Sequence, residues 1–196
     1  MPETKSPAGR SAGERILATA TVLFSRYGYN GVSTREIAAA AQVNEVTIFR
    51  HYPRKHDLYL AVLKSGLQEV HLRGDLLARI AEARDGRTAL ALTFELIAKT
   101  LKQKPEMLRL LQYSALELNE DLGPLVRLHL GELIEIIAHY LEPWMKNGEL
   151  RCTSSKTVIF TLIAIVLGFG PLQRVFLGEG FGPDGMFEAC VDLYTA

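Results

Sequence analysis

The sequence predicts an all-α chain, with a small three-helix domain at the N-terminus and a larger helical domain after it. Apolar residues recur at three- and four-residue spacing from Glu14 onward, and no segment shows the period-2 alternation of β-strands. Two short capped segments separated by a three-residue break also indicate a compact motif near the N-terminus.

The composition is that of a globular protein with a basic N-terminal part. The chain has 196 residues, of which 48% are hydrophobic and 22% charged, and its formal net charge is zero. Residues 1–60 contain 8 Lys and Arg against 5 Asp and Glu, whereas the remaining residues contain 14 against 17. This distribution favours a chain in which only the N-terminal part meets a polyanion.

We expect a cytoplasmic protein with reduced cysteines and no membrane-spanning segment. Cys152 and Cys190 match no metal-binding or redox spacing, and no secretory signal is found at the N-terminus. The most apolar run, residues 158–172, contains two glycines and a proline and is shorter than the ~20 residues that span a bilayer. This run is predicted to be a helix buried in protein.

The first predicted element is a helix that starts at Glu14, after a flexible arm of residues 1–13. Its apolar face is formed by Ile16, Leu17, Ala20, Leu23, Phe24 and Tyr27. Gly28 is expected to end the helix, and Asn30-Gly31 to form a turn.

Two short helices are predicted next. Ser33 begins a capping box, S-T-R-E, and Asn44 can cap the second helix after the break Q-V-N. Pro53 cannot continue that helix, which therefore ends one or two residues earlier. A longer helix, residues 54–72, follows.

The remaining chain is predicted to be helical, with breaks at glycine and proline positions. These breaks fall at Gly74, Asp85-Gly86, Lys104-Pro105, Gly123-Pro124, Asn147-Gly148 and Gly182-Pro183. They delimit a long helix at 122–146, an apolar helix at 154–178 and a final helix at 183–194.

A helix followed by two short helices has the plan of a helix-turn-helix motif. If Ile48 faces inward, a rotation of about 100° per residue gives the second short helix an outward face. That outward face is formed by Val46, Thr47, Phe49 and Arg50, and the side of Ile48 is shared by Asn44, His51 and Tyr52. Arginine can bond guanine in the major groove, and threonine and apolar atoms can contact a thymine methyl group. The second short helix is therefore predicted to read DNA.

A phosphate clamp is predicted beside this helix, formed by His51, Arg54 and Lys55. A cation in the first turn of a helix opposes the helix dipole, at a cost of a few tenths of a kcal/mol. The cost reverses when a phosphate lies there, because the helix N-terminus and the lysine attract the same anion. A short aromatic and basic helix alone is also typical of an ordinary solvated element, but the capped partner helix and the clamp favour DNA binding.

Residues 16–63 resemble the DNA-binding domain of the TetR family of bacterial transcription regulators. The positions that carry the resemblance are Phe24, Gly28, Tyr29, Val32, Ser33, Ile37, Ala38, Val43, Thr47, Ile48, Phe49, His51, Tyr52, Lys55 and Leu58. The chain departs from the pattern at Gln42, where the turn before the reading helix usually has glycine. A left-handed backbone there would cost Gln42 about 1 kcal/mol relative to glycine.

The resemblance implies a transcriptional regulator, by expectation a repressor, that binds a palindromic operator as a homodimer and is released by a small-molecule effector. It divides the chain into an arm at 1–13, a DNA-binding domain at 14–54 and a regulatory domain at 55–196. It also implies DNA contacts from Ser33, Thr34, Arg35, Asn44, Glu45, Val46, Thr47, Phe49, Arg50, His51, Tyr52 and Lys55.

The regulatory domain is predicted to form the dimer and to bind the effector. Residues 154–178 are apolar around most of the helix, so one face can pack on its own domain while another meets a partner, together with 183–196. Alternatively, 154–178 is the central helix of a monomer. Candidate contacts for a hydrophobic or amphipathic effector, each of which also fits an ordinary core or surface position, are Phe94, Met107, Tyr113, Glu117, His129 and Trp144.

Two other functions stay open. The residues His129, Glu132, Glu135 and His139 share one helical face, which would fit an all-α metal-binding or enzymatic protein using residues 129–139. A carboxylate-bridged site needs Glu-x-x-His on a second helix, so a solvated face is the preferred interpretation. A non-specific DNA architectural protein would need more cations than a net charge of zero supplies. Because no nucleophile elbow, phosphate-binding loop or dinucleotide fingerprint occurs, we predict no enzymatic activity, metal or cofactor.

Overall fold

The structure, a computed structural model, consists of helices joined by short connections. It describes residues 11–68, 74–117, 119–151, 154–176 and 183–195. The helices of these ranges are α1 (Ala12–Tyr27), α2 (Thr34–Ala40), α3 (Glu45–His51), α4 (Lys55–Gln68), α5 (Gly74–Ala81), α6 (Gly86–Lys102), α7 (Pro105–Glu117), α8 (Asn119–Lys146), α9 (Ser155–Phe176) and α10 (Pro183–Tyr194). No strand occurs in the ranges described, and the predicted all-α class is confirmed.

Helix α1 begins two residues before the predicted start, because Ser11 and Glu14 form a capping box. The Glu14 backbone N–H donates to Ser11 Oγ at 3.2 Å, and the Ser11 backbone N–H donates to Glu14 Oε2 at 2.7 Å. These bonds satisfy amide groups that the start of a helix otherwise leaves unpaired. The predicted start at Glu14 is therefore wrong by two residues. Residues 1–10 of the predicted arm lie outside the described part of the chain.

The ends of α2 and α3 follow the predicted caps. Ser33 Oγ accepts the Glu36 backbone N–H at 3.2 Å, and Glu36 Oε2 accepts the Ser33 backbone N–H at 2.7 Å. Asn44 Oδ1 accepts the Val46 N–H at 2.9 Å. Helix α3 ends two residues before Pro53, as predicted.

Helix α8 corrects one predicted boundary. The chain was expected to break at Gly123-Pro124, but α8 runs continuously from Asn119 to Lys146. Pro124 is the sixth residue of α8, and its missing N–H removes one intrahelical hydrogen bond, to the carbonyl of Glu120, while the helix continues. Helix α9 lies within the predicted range 154–178, of which residues 177–178 are outside the described ranges.

The chain folds into two compact units. The first contains Met1–Glu69 and Pro105–Val126, and the second contains Val70–Lys104 and Arg127–Ala196. In the first unit α7 packs against α1 and α4, alongside the contacts that α1 makes with α2 and α3. The largest side chains buried in this unit are Tyr59, Phe24, Ile16, Ile37, Ile48, Leu58, Leu63 and Leu67. The functional division at residue 54 stays a prediction.

The second unit is built on one apolar cluster. Helix α6 packs against α5, α9 and α10 around it. Its buried members include Leu76, Ile80, Leu90, Leu96, Ile137, Leu141, Val158, Leu162 and Val191. At the surface, Arg87 at the start of α6 pairs with Glu188 at 2.7 Å and Asp192 at 2.5 Å, both on α10. No helix in the described ranges is long and apolar enough to cross a membrane.

Candidate nucleic-acid interface

Helix α3 has a buried anchor and an exposed outward face. Ile48 is completely buried, whereas Val46 is 70% exposed and Phe49 44% exposed. Arg50 is exposed and Thr47 half-buried. The predicted orientation of these five side chains is confirmed, so the residues expected to enter a DNA groove are accessible.

The three residues that share the direction of Ile48 differ in exposure. Asn44 and His51 are exposed, and only Tyr52 is half-buried. Asn44 is the N-cap and Tyr52 the C-cap of this seven-residue helix. Partial burial raises the pKa of the Tyr52 hydroxyl above its ordinary value.

The turn between α2 and α3 is left-handed at Gln42, whose φ is +54°. The Ala41 N–H donates to Ile37 O at 2.9 Å, and the Val43 N–H donates to Ala38 O at 3.0 Å. Arg15 Nε on α1 donates to Ala41 O at 3.3 Å. The turn thus keeps the conformation in which glycine is favoured, and glutamine adopts it at a cost of about 1 kcal/mol.

A side-chain hydrogen bond also joins the first residues of helices α2 and α3. Thr34 Oγ1 donates to Glu45 Oε1 at 2.6 Å. Sequence reasoning placed both residues at DNA-contacting positions and missed this bond, since a contact across 11 residues has no local pattern. Ser33 and Arg35, the neighbouring candidates on α2, are exposed.

The three cations of the predicted phosphate clamp have different surroundings. Arg54 forms a bidentate pair with Asp57, with Nη2 at 2.7 Å from Oδ1 and Nε at 3.1 Å from Oδ2. The hydrogen bond from Arg54 lowers the pKa of the Asp57 carboxyl. Lys55 is half-buried, with Nζ 4.3 Å from the centre of the Tyr29 ring, and His51 is exposed. The clamp itself stays a prediction.

The ammonium group of Lys55 interacts with an aromatic ring and, at longer range, with two carboxylates. Partial burial lowers the pKa of Lys55, against the opposing attraction of Glu117 and Glu36. The face of a tyrosine ring attracts a cation within about 6 Å of its centre. The ammonium group therefore has a defined location at the start of α4.

Three of the six effector candidates lie in the first unit. Met107 is buried there, the Tyr113 hydroxyl donates to Arg26 O at 3.4 Å, and Glu117 Oε2 accepts the Tyr29 N–H at 2.7 Å. These contacts give Tyr113 and Glu117 structural partners at the end of α1 and in the turn that follows it. Their role in binding an effector stays a prediction.

The other three candidates lie in the second unit. Phe94 belongs to the apolar cluster, Trp144 packs against it, and His129 is half-buried. A cleft of about 420 Å³ in this unit includes none of them in its lining. Its lining residues are Glu142, Met145, Lys146, Ser154, Ser155 and Lys156. Binding of an effector by these three candidates likewise stays a prediction.

The polar face at 129–139 does not form a metal-binding group. Glu135 pairs with Lys156 at 2.5 Å, and Glu132 and His139 are exposed. Across the described part of the chain, no three His, Cys, Asp or Glu side chains are arranged to hold a metal ion. The predicted alternative of a metal protein gains no support from this geometry.

A capped two-helix motif with a buried anchor and an accessible second helix defines a helix-turn-helix DNA-binding protein. Residues 16–62 match the family model described as bacterial regulatory proteins, tetR family. This match confirms the predicted resemblance over that range: residues 16–62 form a helix-turn-helix DNA-binding domain of the TetR type.

Relatives of similar length are known over nearly the whole chain. The nucleoid occlusion factor SlmA of Klebsiella pneumoniae (strain 342) is 27% identical over 197 residues, covering 98% of this chain and 97% of the relative. The HTH-type transcriptional regulator RutR of Escherichia coli O157:H7 is 26% identical over 195 residues, covering 96% and 89%.

Solved structures share the fold. HlyIIR, a hemolysin II transcriptional regulator, superposes with a TM-score of 0.66 at 22% identity, covering 97% of this chain and 99% of that one. A putative transcriptional regulator from Saccharomonospora viridis in complex with choline gives a TM-score of 0.64 at 23% identity, covering 94% and 98%.

Proposed function

We propose that the protein is a ligand-responsive repressor that binds a palindromic operator as a homodimer through α3. The observation that carries this proposal is the exposed outward face of α3 on a buried Ile48 anchor. Thr47 and Arg50 supply polar contacts to base edges, and Val46 and Phe49 supply apolar ones. Lys55 and the exposed residues of α2 contact the phosphate backbone.

The apolar part of the outward face indicates which bases are read. Val46 and Phe49 are large apolar side chains with 70% and 44% exposure, and neither forms part of the core. In the major groove, the apolar group that a base pair presents is the thymine methyl. We therefore propose that the operator places thymine methyl groups against these two side chains.

Replacing thymine by deoxyuridine at single operator positions tests this contact, because it removes the methyl group and keeps base pairing. We expect each contacted position to lose about 1 kcal/mol, the contribution of one buried methyl-sized group. The matched variants Val46→Ala and Phe49→Ala should bind the thymine and deoxyuridine duplexes equally at the position that each residue contacts. An unchanged deoxyuridine effect in both variants would assign the methyl contact to other residues.

The homodimer is proposed to form through α9 and α10. Phe160 on α9 is 52% exposed and Leu193 on α10 is 74% exposed, whereas Val158, Ile159 and Val191 on the same two helices are buried in the second unit. Exposed large apolar side chains are typical of protein interfaces when they lie together in one patch, and both helices pack on α6. Sedimentation of a Phe160→Arg, Leu193→Arg variant tests this surface, with a monomer expected and an unchanged dimer contradicting it.

The effector is proposed to be a small hydrophobic or amphipathic molecule bound in the regulatory domain. The solved regulator from Saccharomonospora viridis is in complex with choline, which supports uptake of a small organic molecule by this fold. Binding of such a molecule would shift α4 and change the separation of two reading helices that must lie about 34–36 Å apart. We expect such a compound to release the protein from the operator and to raise the melting temperature of the protein.

Titration against the DNA upstream of the protein's own gene tests the proposed function as a whole. We expect a salt-sensitive complex that requires both halves of a palindrome. Equal binding to a scrambled duplex, or no binding at low salt, would contradict the proposal.

A further inference from the structure

One face of α7 contacts the end of α1 and the turn after it. The α7 contact face consists of Arg109, Tyr113 and Glu117, at four-residue spacing along one side of the helix. Arg109 Nε donates to Ser25 O at 3.1 Å, and the Tyr113 hydroxyl donates to Arg26 O at 3.4 Å. These donors satisfy carbonyl groups in the last turn of α1, where a helix leaves them without intrahelical partners.

Glu117, the last residue of this face, contacts the turn rather than the helix. Its Oε2 accepts the Tyr29 backbone N–H at 2.7 Å. The carboxylate can approach because Gly28 has no side chain: a Cβ there would lie 3.0 Å from Glu117 Oε1, and the φ of Gly28 is +75°. A glycine at position 28 and a carboxylate at position 117 therefore fix the turn together.

The ring of Tyr29 contacts Lys55, the first residue of α4. Its face lies 4.3 Å from Lys55 Nζ, and it packs edge to face against Tyr59 at 5.2 Å between centres. Tyr59 in turn shares a hydrogen bond of 3.0 Å with Ser114 on α7. Helix α7 thus constrains Tyr29 twice, through its backbone and through its aromatic neighbour.

We propose that Glu117 is a positioning residue for DNA binding. Its carboxylate fixes Tyr29, and the Tyr29 ring holds the Lys55 ammonium group at the N-terminus of α4, where it meets a phosphate. The inference rests on the proposed function, because Lys55 acts here as a backbone contact. A long, flexible lysine that is already held in place loses less rotamer freedom when it binds phosphate.

The same contacts predict what a displacement of α7 would do to DNA binding. A displacement of α7 away from the turn would remove the acceptor of the Tyr29 N–H and the partner of Tyr59 in one movement. Lys55 would then lose its fixed position while α3 kept its fold. Such a change lowers affinity for every DNA sequence equally, because phosphate contacts carry no sequence information.

The test is a double-mutant cycle between Glu117 and Lys55, measured by binding of the full chain to palindromic and scrambled duplexes across a salt series. We expect Glu117→Ala to weaken both complexes by the same factor, roughly fivefold, and to flatten the salt slope. Glu117→Gln should bind like the wild type, because its amide oxygen still accepts the Tyr29 N–H. In a Lys55→Ala background, Glu117→Ala should cause no further loss.

A matched control on the same helix is Glu106→Ala. The Glu106 carboxylate lies on the surface of α7, with Oε1 3.7 Å from Arg109 Nη2. We expect its replacement by alanine to leave the DNA affinity and its salt dependence unchanged. Melting curves of all variants separate lost folding from lost positioning. If Glu117→Ala does not fold, Tyr29→Leu tests the same chain of contacts, because it keeps the backbone N–H and removes the ring.

Two results would overturn the inference while the proposed function stands. One is a fivefold loss from Glu117→Ala that persists in the Lys55→Ala background, which would make Glu117 a general structural residue. The other is tighter DNA binding by Glu117→Ala, which would mean that the carboxylate competes with phosphate for Lys55. Failure of the wild-type protein to bind any duplex would instead defeat the proposed function itself.

Discussion

Both compact units have a buried apolar core, and they differ in where the side-chain hydrogen bonds between distant segments lie. In the first unit, hydrogen bonds from particular side chains fix the turns and helix ends, as at Ser33, Thr34 and Glu117. In the second unit, whose core includes seventeen of the described apolar residues, Glu149 Oε2 accepts the Gly86 N–H at 2.6 Å, and ion pairs such as Arg87–Glu188 lie at the surface.

This difference affects how each unit tolerates substitution. A hydrogen bond depends on distance and angle, so a small displacement of the backbone removes it. Apolar burial is non-directional and roughly proportional to the area removed from water, so a cluster accepts side chains of similar volume. We therefore expect the proposed presentation of α3 to DNA to depend on the directional contacts of the first unit.

The largest effect is expected from Gly31→Ala in the first unit. A Cβ at Gly31 would lie 2.2 Å from the Tyr27 carbonyl oxygen, so the backbone of the α1–α2 turn must move. We expect urea unfolding to show a loss of about 2–3 kcal/mol, together with weaker DNA binding.

The matched control is Gly131→Ala in the second unit. A Cβ at Gly131 meets nothing within 4 Å, and the residue lies inside α8. Alanine is favoured over glycine in a helix interior, so stability should rise by about 0.5–1 kcal/mol. Equal losses from the two alanine substitutions would remove the contrast between the units.

A smaller effect is expected from Gln42→Gly. Gln42 has a φ of +54° and an exposed side chain, so glycine relieves the left-handed backbone with little loss of packing. The free energy of unfolding should rise by about 1 kcal/mol with an unchanged denaturant slope. A destabilised Gln42→Gly protein would show that the glutamine side chain makes an unrecognised contribution to the turn.

The parts of the molecule predicted from sequence are those with local signals. The capping box at Ser33, the cap at Asn44 and the inward position of Ile48 each depend on residues within one or two helical turns. The sequence also predicted the left-handed turn at Gln42, because Gln42 occupies the position at which the family pattern usually has glycine. A capping box at Ser11 had the same signal but lies in a glycine- and serine-rich segment that resembles a flexible arm.

The parts that sequence did not predict depend on contacts between distant segments. Glu117 and Tyr29 are 88 residues apart, and neither residue type indicates the other. Composition and spacing instead placed Glu117 and Tyr113 among effector contacts. The continuation of α8 through Pro124 was missed because proline is a helix breaker on average, whereas here the helix continues with one hydrogen bond fewer.

The measurement that tests the central claim most directly compares Arg50→Ala with Lys55→Ala. Both variants are titrated with the operator and with operators changed at single base pairs, at several salt concentrations. Arg50→Ala should relax sequence preference at one position by about 1–3 kcal/mol, whereas Lys55→Ala should weaken binding to every duplex and reduce the salt slope by about one. Equal losses for both variants on every sequence would contradict the account, because α3 would then contact DNA without reading it.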